Sequence, residues 1–532
     1  MDSGVDVARA ALRRLPLAAA AAIPVAFLAV FFVYPLAAIV RRGLDASGSD
    51  SFATGETLRI AWFTTWQAAL STALTLAVGL PLAWVVGRFA FRGRSLVLAL
   101  VLVPFVLPTL VVATAFVSLL PDRLDQSIWA ILLAHAFFNV AVVVRVVGGY
   151  WAGLSRTTEA AAAMLGAGPW RRLREVTLPQ LAPALAAASA LTFLFSFTSF
   201  GVIVVLGGPG IATLETEIYN QAARLFDLRT AAVLSVVQLA AVATIVLVAS
   251  RLEGTLAGRG GPRTSRRTLQ RPRGRERWLV ASVLGVSAGL LGLPVAALVR
   301  RSVSTPDGIG LDYFSSLGRE TNVLLVTPLE TVFNSFVFAA VATGLALAVG
   351  GLLAVALARI RPGWLDALIL LPLGASAVML GFGFVIAFDE PPLELRASAA
   401  LVPIAQALVA APFVVRIVAP TLRSIRPELR EAAALLGASP LRVRREIDLP
   451  LVVRALGGAA GFAFAIALGE FGATIFVAQA ERPTLPVAIF RFLGRPGAEN
   501  QGTAAALAVV LALLAAAAAA VAGRAGGRRS LL

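Results

Sequence analysis

The chain contains no cysteine among its 532 residues. Disulfides, thiol nucleophiles, thiolate zinc sites and cysteine-bound iron–sulfur clusters are thereby excluded. Lysine is absent as well, so all 46 basic residues are Arg. A Walker A loop uses its Lys on the phosphates; the chain is therefore no standard P-loop ATPase, and lysine Schiff-base chemistry falls with it. The single histidine, His135, leaves no multi-histidine metal site. Charge is scarce at 14%, against roughly 25% in soluble domains, while 58% of the residues are hydrophobic. The apolar excess is gathered in runs of about 20 residues, long enough to cross a bilayer as helices.

Twelve spans are expected, near 17–40, 62–87, 95–120, 127–148, 184–206, 229–250, 279–299, 331–358, 365–388, 397–418, 455–478 and 502–522. The expected fold is an all-α polytopic membrane protein. The net charge of +17 has two readings, a nucleic-acid partner or Arg held on the cytosolic side of a membrane. Its distribution decides. With the N-terminus inside, the inner segments hold 33 Arg; the outer loops hold 13 Arg and 17 acids. The positive-inside rule then puts both termini in the cytoplasm, with a lipid bilayer and no nucleic acid as the surroundings. The first span follows Arg9, Arg13 and Arg14 as a signal peptide would, but it outruns a 7–15-residue signal core and reads as an uncleaved helix.

The segment 251–277 is a basic linker with nine Arg. It separates a first six-span half, 1–250, from a second, 278–532. The halves match at an offset of 271 residues. Leu165 opens LGAGPWRRLREVTLP and Leu436 opens LGASPLRVRREIDLP. Gly79 and Arg88 face Gly350 and Arg359; Ser199-Phe200-Gly201 faces Glu470-Phe471-Gly472; Thr213-Leu214 faces Thr484-Leu485. A register kept without gaps over such a stretch indicates duplication. Six is an even number, so both copies enter the membrane in the same sense, as two parallel six-helix repeats with their axis along the membrane normal.

Between the fourth and fifth spans of each half lies a polar cytosolic segment, 156–183 and 427–454. Ala160–Leu165 and Glu431–Leu436 are strong helix formers. Gly166 and Gly437 suit a helix C-cap, and Pro169 and Pro440 suit the first turn of a second helix. Arg171/Glu175 and Arg442/Glu446 are spaced for i,i+4 pairs. Each loop thus reads as helix, turn, helix, and a two-fold pair of such elements calls for a two-fold partner.

The pattern Glu431-Ala432-Ala433, then Gly437, then Leu-Pro resembles the EAA signature of permeases in binding-protein-dependent ABC importers. The first copy departs by one residue: Ala160 stands at the usual Glu position and the acid is Glu159, followed by Ala160, Ala161 and Gly166. Two EAA loops in one chain are similar to the thiamine and ferric-iron permeases, and LLAHAFFN at 132–139 is similar to the thiamine branch. The resemblance implies a transport subunit with no catalysis of its own. It implies two copies of a separate ATP-binding subunit seated on the EAA loops, and an extracytoplasmic solute-binding protein. It further implies a bacterial inner-membrane location, a small solute as cargo (thiamine first, ferric iron next), and no cofactor or metal in this chain.

Ser199, Phe200, Glu470 and Phe471 are the expected lining of the translocation path, with Phe an apolar plug or stacking surface; the alternative is that both Phe residues simply pack between helices. Glu470 is the one acid well inside a span and has two readings, contact with a cationic solute or a helix cap. His135 also has two readings, a functional ionisable group inside the fourth span or a neutral side chain bonded to a neighbouring helix, and the second is preferred. The outer loops 207–228 and 479–501 read as contacts for a delivering protein or as plain connectors. The rival function is a secondary transporter driven by an ion gradient; such carriers place acids inside the membrane for their ion.

Overall fold

The computed structural model describes residues 22–45, 55–121, 123–155, 157–257, 269–359, 376–389, 391, 393–425 and 427–525. Ten helices in these ranges are long and apolar enough to cross a membrane, and a bent pair makes up to eleven. The described strands form one small hairpin, Ser304–Thr305 with Gly308–Ile309. The protein is all-α and polytopic, as a bilayer requires of a chain that must satisfy its backbone within each segment.

Among the described residues, ten or eleven of the twelve expected spans have a helix long and apolar enough to cross, and two of the expected stretches are not one continuous described helix. The stretch expected at 95–120 is two helices, Arg94–Val106 and Thr109–Leu119, bent by 98°. Leu107 is extended at φ −64°, ψ 133°, the conformation that a following proline imposes, and Pro108 has no N–H to continue the ladder. Most of the stretch expected at 365–388 lies outside the described residues; of it the structure describes the helix Ala377–Ala387. The linker 251–277 is likewise described only in part.

Both fifth spans stop early. One ends at Phe197 and resumes as the short helix Gly201–Leu206. The other ends at Gly469 and resumes as Thr474–Val477. The loops that follow, 207–228 and 479–501, contain buried helices, Leu214–Tyr219 and Leu485–Leu493. The N-terminus of each is capped from the second span of its half. The Leu214 N–H donates to the buried Thr64 hydroxyl at 3.0 Å, and the Leu485 N–H donates to the buried Ser335 hydroxyl at 2.6 Å. Thr64 and Ser335 are themselves 271 residues apart, so the repeat extends to single hydrogen bonds.

The contacts divide the chain into two compact units. One holds the described residues up to Ser47, 218–235 and from Thr305 onward; the other holds 48–217 and 236–304. In the first, the 22–45 helix lies on Ala377–Ala387, where Gly383 would bring a Cβ within 3.0 Å of Pro35. In the second, Arg275–Val303 lies on Thr109–Leu119. The first span of each sequence half therefore belongs to the unit built mainly from the other half.

Inside each unit the second and fourth spans cross closely at a glycine. A Cβ on Gly79 would lie 2.8 Å from Val143 Cβ, and one on Gly350 would lie 2.9 Å from Val414 Cβ. Val143 and Val414 again differ by 271. Since packed interiors lack spare volume, Gly79→Ala should destabilise the protein by about 1–3 kcal/mol. Val143→Gly in the same chain should recover part of that loss. Thermal unfolding in detergent checks this; an unchanged Tm for Gly79→Ala would refute it.

A polar seam joins the second, fourth and fifth spans of the first half. Gln67 Nε2 donates to the Ser196 carbonyl at 3.0 Å, Asn139 Nδ2 to Ser196 Oγ at 3.4 Å, and His135 Nδ1 shares a 2.9 Å bond with Ser71 Oγ. His135 is thus buried and bonded to a neighbouring helix. The corresponding residues of the second half are Phe338, Ala342, Gln406, Ala410 and Ala467, so the seam is particular to one copy.

Candidate functional site

Each loop between the fourth and fifth spans begins with a short helix, Thr157–Met164 in the first copy and Pro427–Leu435 in the second. Alanine-rich sequence favours both, and a left-handed glycine ends both. Gly166 and Gly437 each have φ +83°. The Ala167 N–H reaches back to the Ala162 carbonyl and the Gly166 N–H to that of Ala163, each at 3.0 Å. Ala438 with Ala433 and Gly437 with Ala434 repeat the pattern at 3.0 Å. These are Schellman caps, which turn the chain and satisfy the last carbonyls. Pro169 and Pro440 then start the second helix. Its i,i+4 pairs are formed, Arg171–Glu175 at 2.9 Å and Arg442–Glu446 at 3.0 Å.

The turns expose large apolar side chains. Met164 and Leu165 are each 89% exposed and Trp170 is 72% exposed; Leu435 and Leu436 are each 89% exposed and Leu441 75%. The two sets match position for position at the offset of 271. Large apolar side chains held out on a polar, Arg-rich loop are candidates for a contact surface. These six lie outside the EAA pattern, and only their pairing in the repeat marks them in the sequence.

The EAA residues divide by exposure. Ala160, Ala161, Glu431 and Ala432 are exposed, and Ala433 is half-buried. Glu159 turns inward: its carboxylate meets the Arg88 guanidinium with both oxygens, at 3.2 and 2.9 Å, and accepts from the Thr177 hydroxyl at 2.8 Å. At the matching places of the second copy, Arg430 Nε donates to Asp448 Oδ1 at 2.8 Å.

The expected path residues sit at the broken fifth spans, Ser199 and Phe200 in one compact unit and Glu470 and Phe471 in the other. Ser199 is half-buried and Phe200 buried. Phe471 is buried with its ring 5.3 Å from that of Phe490, which in turn meets Tyr219 at 6.4 Å. Glu470 Oε1 accepts the Ala473 N–H at 2.7 Å, and Oε2 accepts the Thr474 N–H at 3.0 Å and the Thr474 hydroxyl. Its carboxylate therefore caps the Thr474–Val477 helix, where unpaired N–H groups favour an anion. Among the described residues no group of three or more His, Asp or Glu is placed to hold a metal ion.

Comparison with known proteins agrees with this architecture. Residues 79–257 match the model of the binding-protein-dependent transport system inner membrane component family. The chain is 30% identical to the thiamine transport system permease protein ThiP of Brucella abortus (strain 2308), over 94% of each chain. It is 26% identical to ThiP of Escherichia coli (strain K12), over 84% of this chain and 86% of that one. The sulfate transport system permease protein CysT of Escherichia coli (strain K12) is 30% identical, over 85% of its own length but 42% of this chain. A relative of about half the size, matched nearly throughout, is what a fusion of two permease halves predicts. With a full-length relative at this identity and two copies of the EAA loop, the chain belongs to the family of binding-protein-dependent transport system inner membrane components, as an ABC importer permease with two fused halves.

Proposed function

We propose that this permease moves thiamine from an extracytoplasmic solute-binding protein into the cytoplasm, driven by two copies of a separate ATP-binding subunit seated on the two loops. The observation that carries the ATPase reading is the repeated apolar triplet, Met164/Leu165/Trp170 and Leu435/Leu436/Leu441, held out beside a left-handed glycine. Two equivalent projections suit two equivalent clefts. ATP is bound by the partner, and this chain has no cofactor of its own. Closure of the ATPase pair would draw the loops together and switch the path from inward- to outward-facing. Both termini lie in the cytoplasm in this reading, as the Arg distribution requires.

The names of the full-length relatives support thiamine as cargo. Phe200 and Phe471 are each buried, so in this reading a ring-bearing cation reaches a phenyl group only when the path opens. Uptake into vesicles holding the chain and its ATPase tests the reading. Thiamine accumulation that requires ATP and the binding protein is expected. Uptake of iron(III) in place of thiamine would overturn the substrate. Gradient-driven uptake by the lone chain would replace the importer with an ion-coupled carrier.

The path makes its own prediction. Phe200→Ala, Phe471→Ala and Glu470→Gln should each lower transport about tenfold while leaving ATPase binding intact. In the Glu470 variant the loss has a definite source, because an amide accepts at one atom where the carboxylate accepts at two. Single cysteines at 199, 200, 470 and 471 probe access, as the chain has no thiol of its own. If all four stay unreactive to water-soluble reagents in resting and ATP-trapped states, the lining assignment is wrong.

A further inference from the structure

Glu159 stands one residue before the place where the EAA pattern puts its acid. The structure supplies a reason for the shift. The carboxylate is largely buried, and it meets three parts of one compact unit at once. Its own place is in the first turn of the Thr157–Met164 helix. Arg88, which it grips with both oxygens at 3.2 and 2.9 Å, ends the second span. Thr177, whose hydroxyl donates to it at 2.8 Å, is buried where the second loop helix runs into the fifth span. A forked Arg–carboxylate pair is both strong and directional. Partial burial protects it from the screening that makes exposed pairs weak.

The second copy holds the same joint with the chemistry inverted. Glu159 corresponds to Arg430 and Thr177 to Asp448 at the offset of 271, and Arg430 bonds Asp448 at 2.8 Å. Both copies thus tie the first loop helix to the start of the fifth span through the same two positions. In one the acid is on the loop helix; in the other the base is. Two unrelated pairs at one joint point to a joint that has to be kept, whichever residues keep it. The acid at the usual EAA position, Glu431, is exposed in the second copy, whereas the first has Ala160 there.

We propose that Glu159 is a positioning residue: with Arg88 and Thr177 it forms a strut that makes the first loop move as one body with the second and fifth spans, as Arg430 with Asp448 does in the second copy. The strut rests on the reading of these loops as ATPase-coupling elements. It transmits movement between loop and spans, and it does not contribute to holding the ATPase. Without it, ATP-driven displacement of the loop would be absorbed by rotation of the short helix about its two ends instead of reaching the membrane.

The copies themselves provide the test. Glu159→Gln is nearly isosteric and keeps one acceptor for Thr177 while losing the ion pair. Glu159→Arg alone sets a like charge beside Arg88. Glu159→Arg with Thr177→Asp installs the second copy's pair. Each full-length variant is placed in vesicles with the ATPase and binding protein. ATP hydrolysed per solute imported, and ATPase affinity, are measured together. Glu159→Gln should raise the ATP cost per solute at least threefold, and Glu159→Arg at least tenfold, with ATPase affinity within twofold of wild type. The double variant should return to within twofold of the wild-type ratio.

An unchanged ratio in Glu159→Gln overturns the strut, as does a double variant no better than Glu159→Arg. A drop in ATPase affinity in Glu159→Gln also overturns it, in favour of direct contact with the partner. A wild-type chain that stimulates no ATP hydrolysis at all defeats the coupling reading and the strut with it, an outcome distinct from the other three.

Discussion

A chain carrying Leu165→Asp and Leu436→Asp is expected to insert normally and to lose its ATPase. Both leucines are 89% exposed on the turns that follow the first loop helices. Neither side chain stabilises the permease itself, so their replacement should leave the spans and Tm unchanged. Each is instead available to be buried by a partner. Burying a leucine contributes about 1.5–3 kcal/mol, and setting an unpaired carboxylate in an apolar cleft adds a further desolvation penalty. Two such losses in one complex exceed about 4 kcal/mol, or roughly a thousandfold in affinity. Co-purification of the ATPase with the permease in detergent, followed by titration in vesicles, measures the effect. One substitution alone should leave a complex with a single ATPase bound firmly, because the projections are separate. Retention of both ATPase copies by the double variant would mean that the partner docks elsewhere.

Much of this arrangement was legible in the sequence because duplication repeats contacts as well as residues. The offset of 271 read from LGAGP and LGASP also relates Gly79/Val143 to Gly350/Val414, and Thr64/Leu214 to Ser335/Leu485. The glycine caps were predictable from Ala-rich helices followed by Gly and then Pro. Other features left no usable trace in hydropathy. The apolar run continues through the break after Phe197 into Val202–Leu206, so the composition could not show that the helix stops. The bend at Leu107 and Pro108 had its proline in view, but the length of the apolar stretch outweighed it. That the helices 22–45 and 275–303 each join the unit built mainly from the other half is decided by topology, and no local residue pattern encodes it. Glu159 looked like a defect in a motif until Arg88 and Thr177 were placed around it.

Gly437→Val is expected to uncouple ATP hydrolysis from transport while leaving the complex assembled. The residue has φ +83° in a Schellman cap. No heavy atom lies within 4 Å of where its Cβ would be, so the cost is conformational and not steric. For a residue with a Cβ the left-handed region costs about 1–2 kcal/mol, and a β-branched side chain is among the worst suited to it. Relief of that strain would unwind the cap. The Ala438 and Gly437 N–H groups would then leave the Ala433 and Ala434 carbonyls, and Leu441 would swing away from Leu435 and Leu436. The ATPase would still find apolar side chains to hold, but on a loop that no longer moves as a unit. Transport should fall at least tenfold and ATP hydrolysis less than twofold. Gly437→Asn is the control, because Asn visits the left-handed region more readily than other residues with a Cβ; it should keep most of the transport. Gly166→Val should behave in the same way, since Gly166 has the same φ and the same open surroundings. Uptake at the wild-type rate by Gly437→Val would show that the turn can change shape without loss of coupling, and the rigid-loop account would fail.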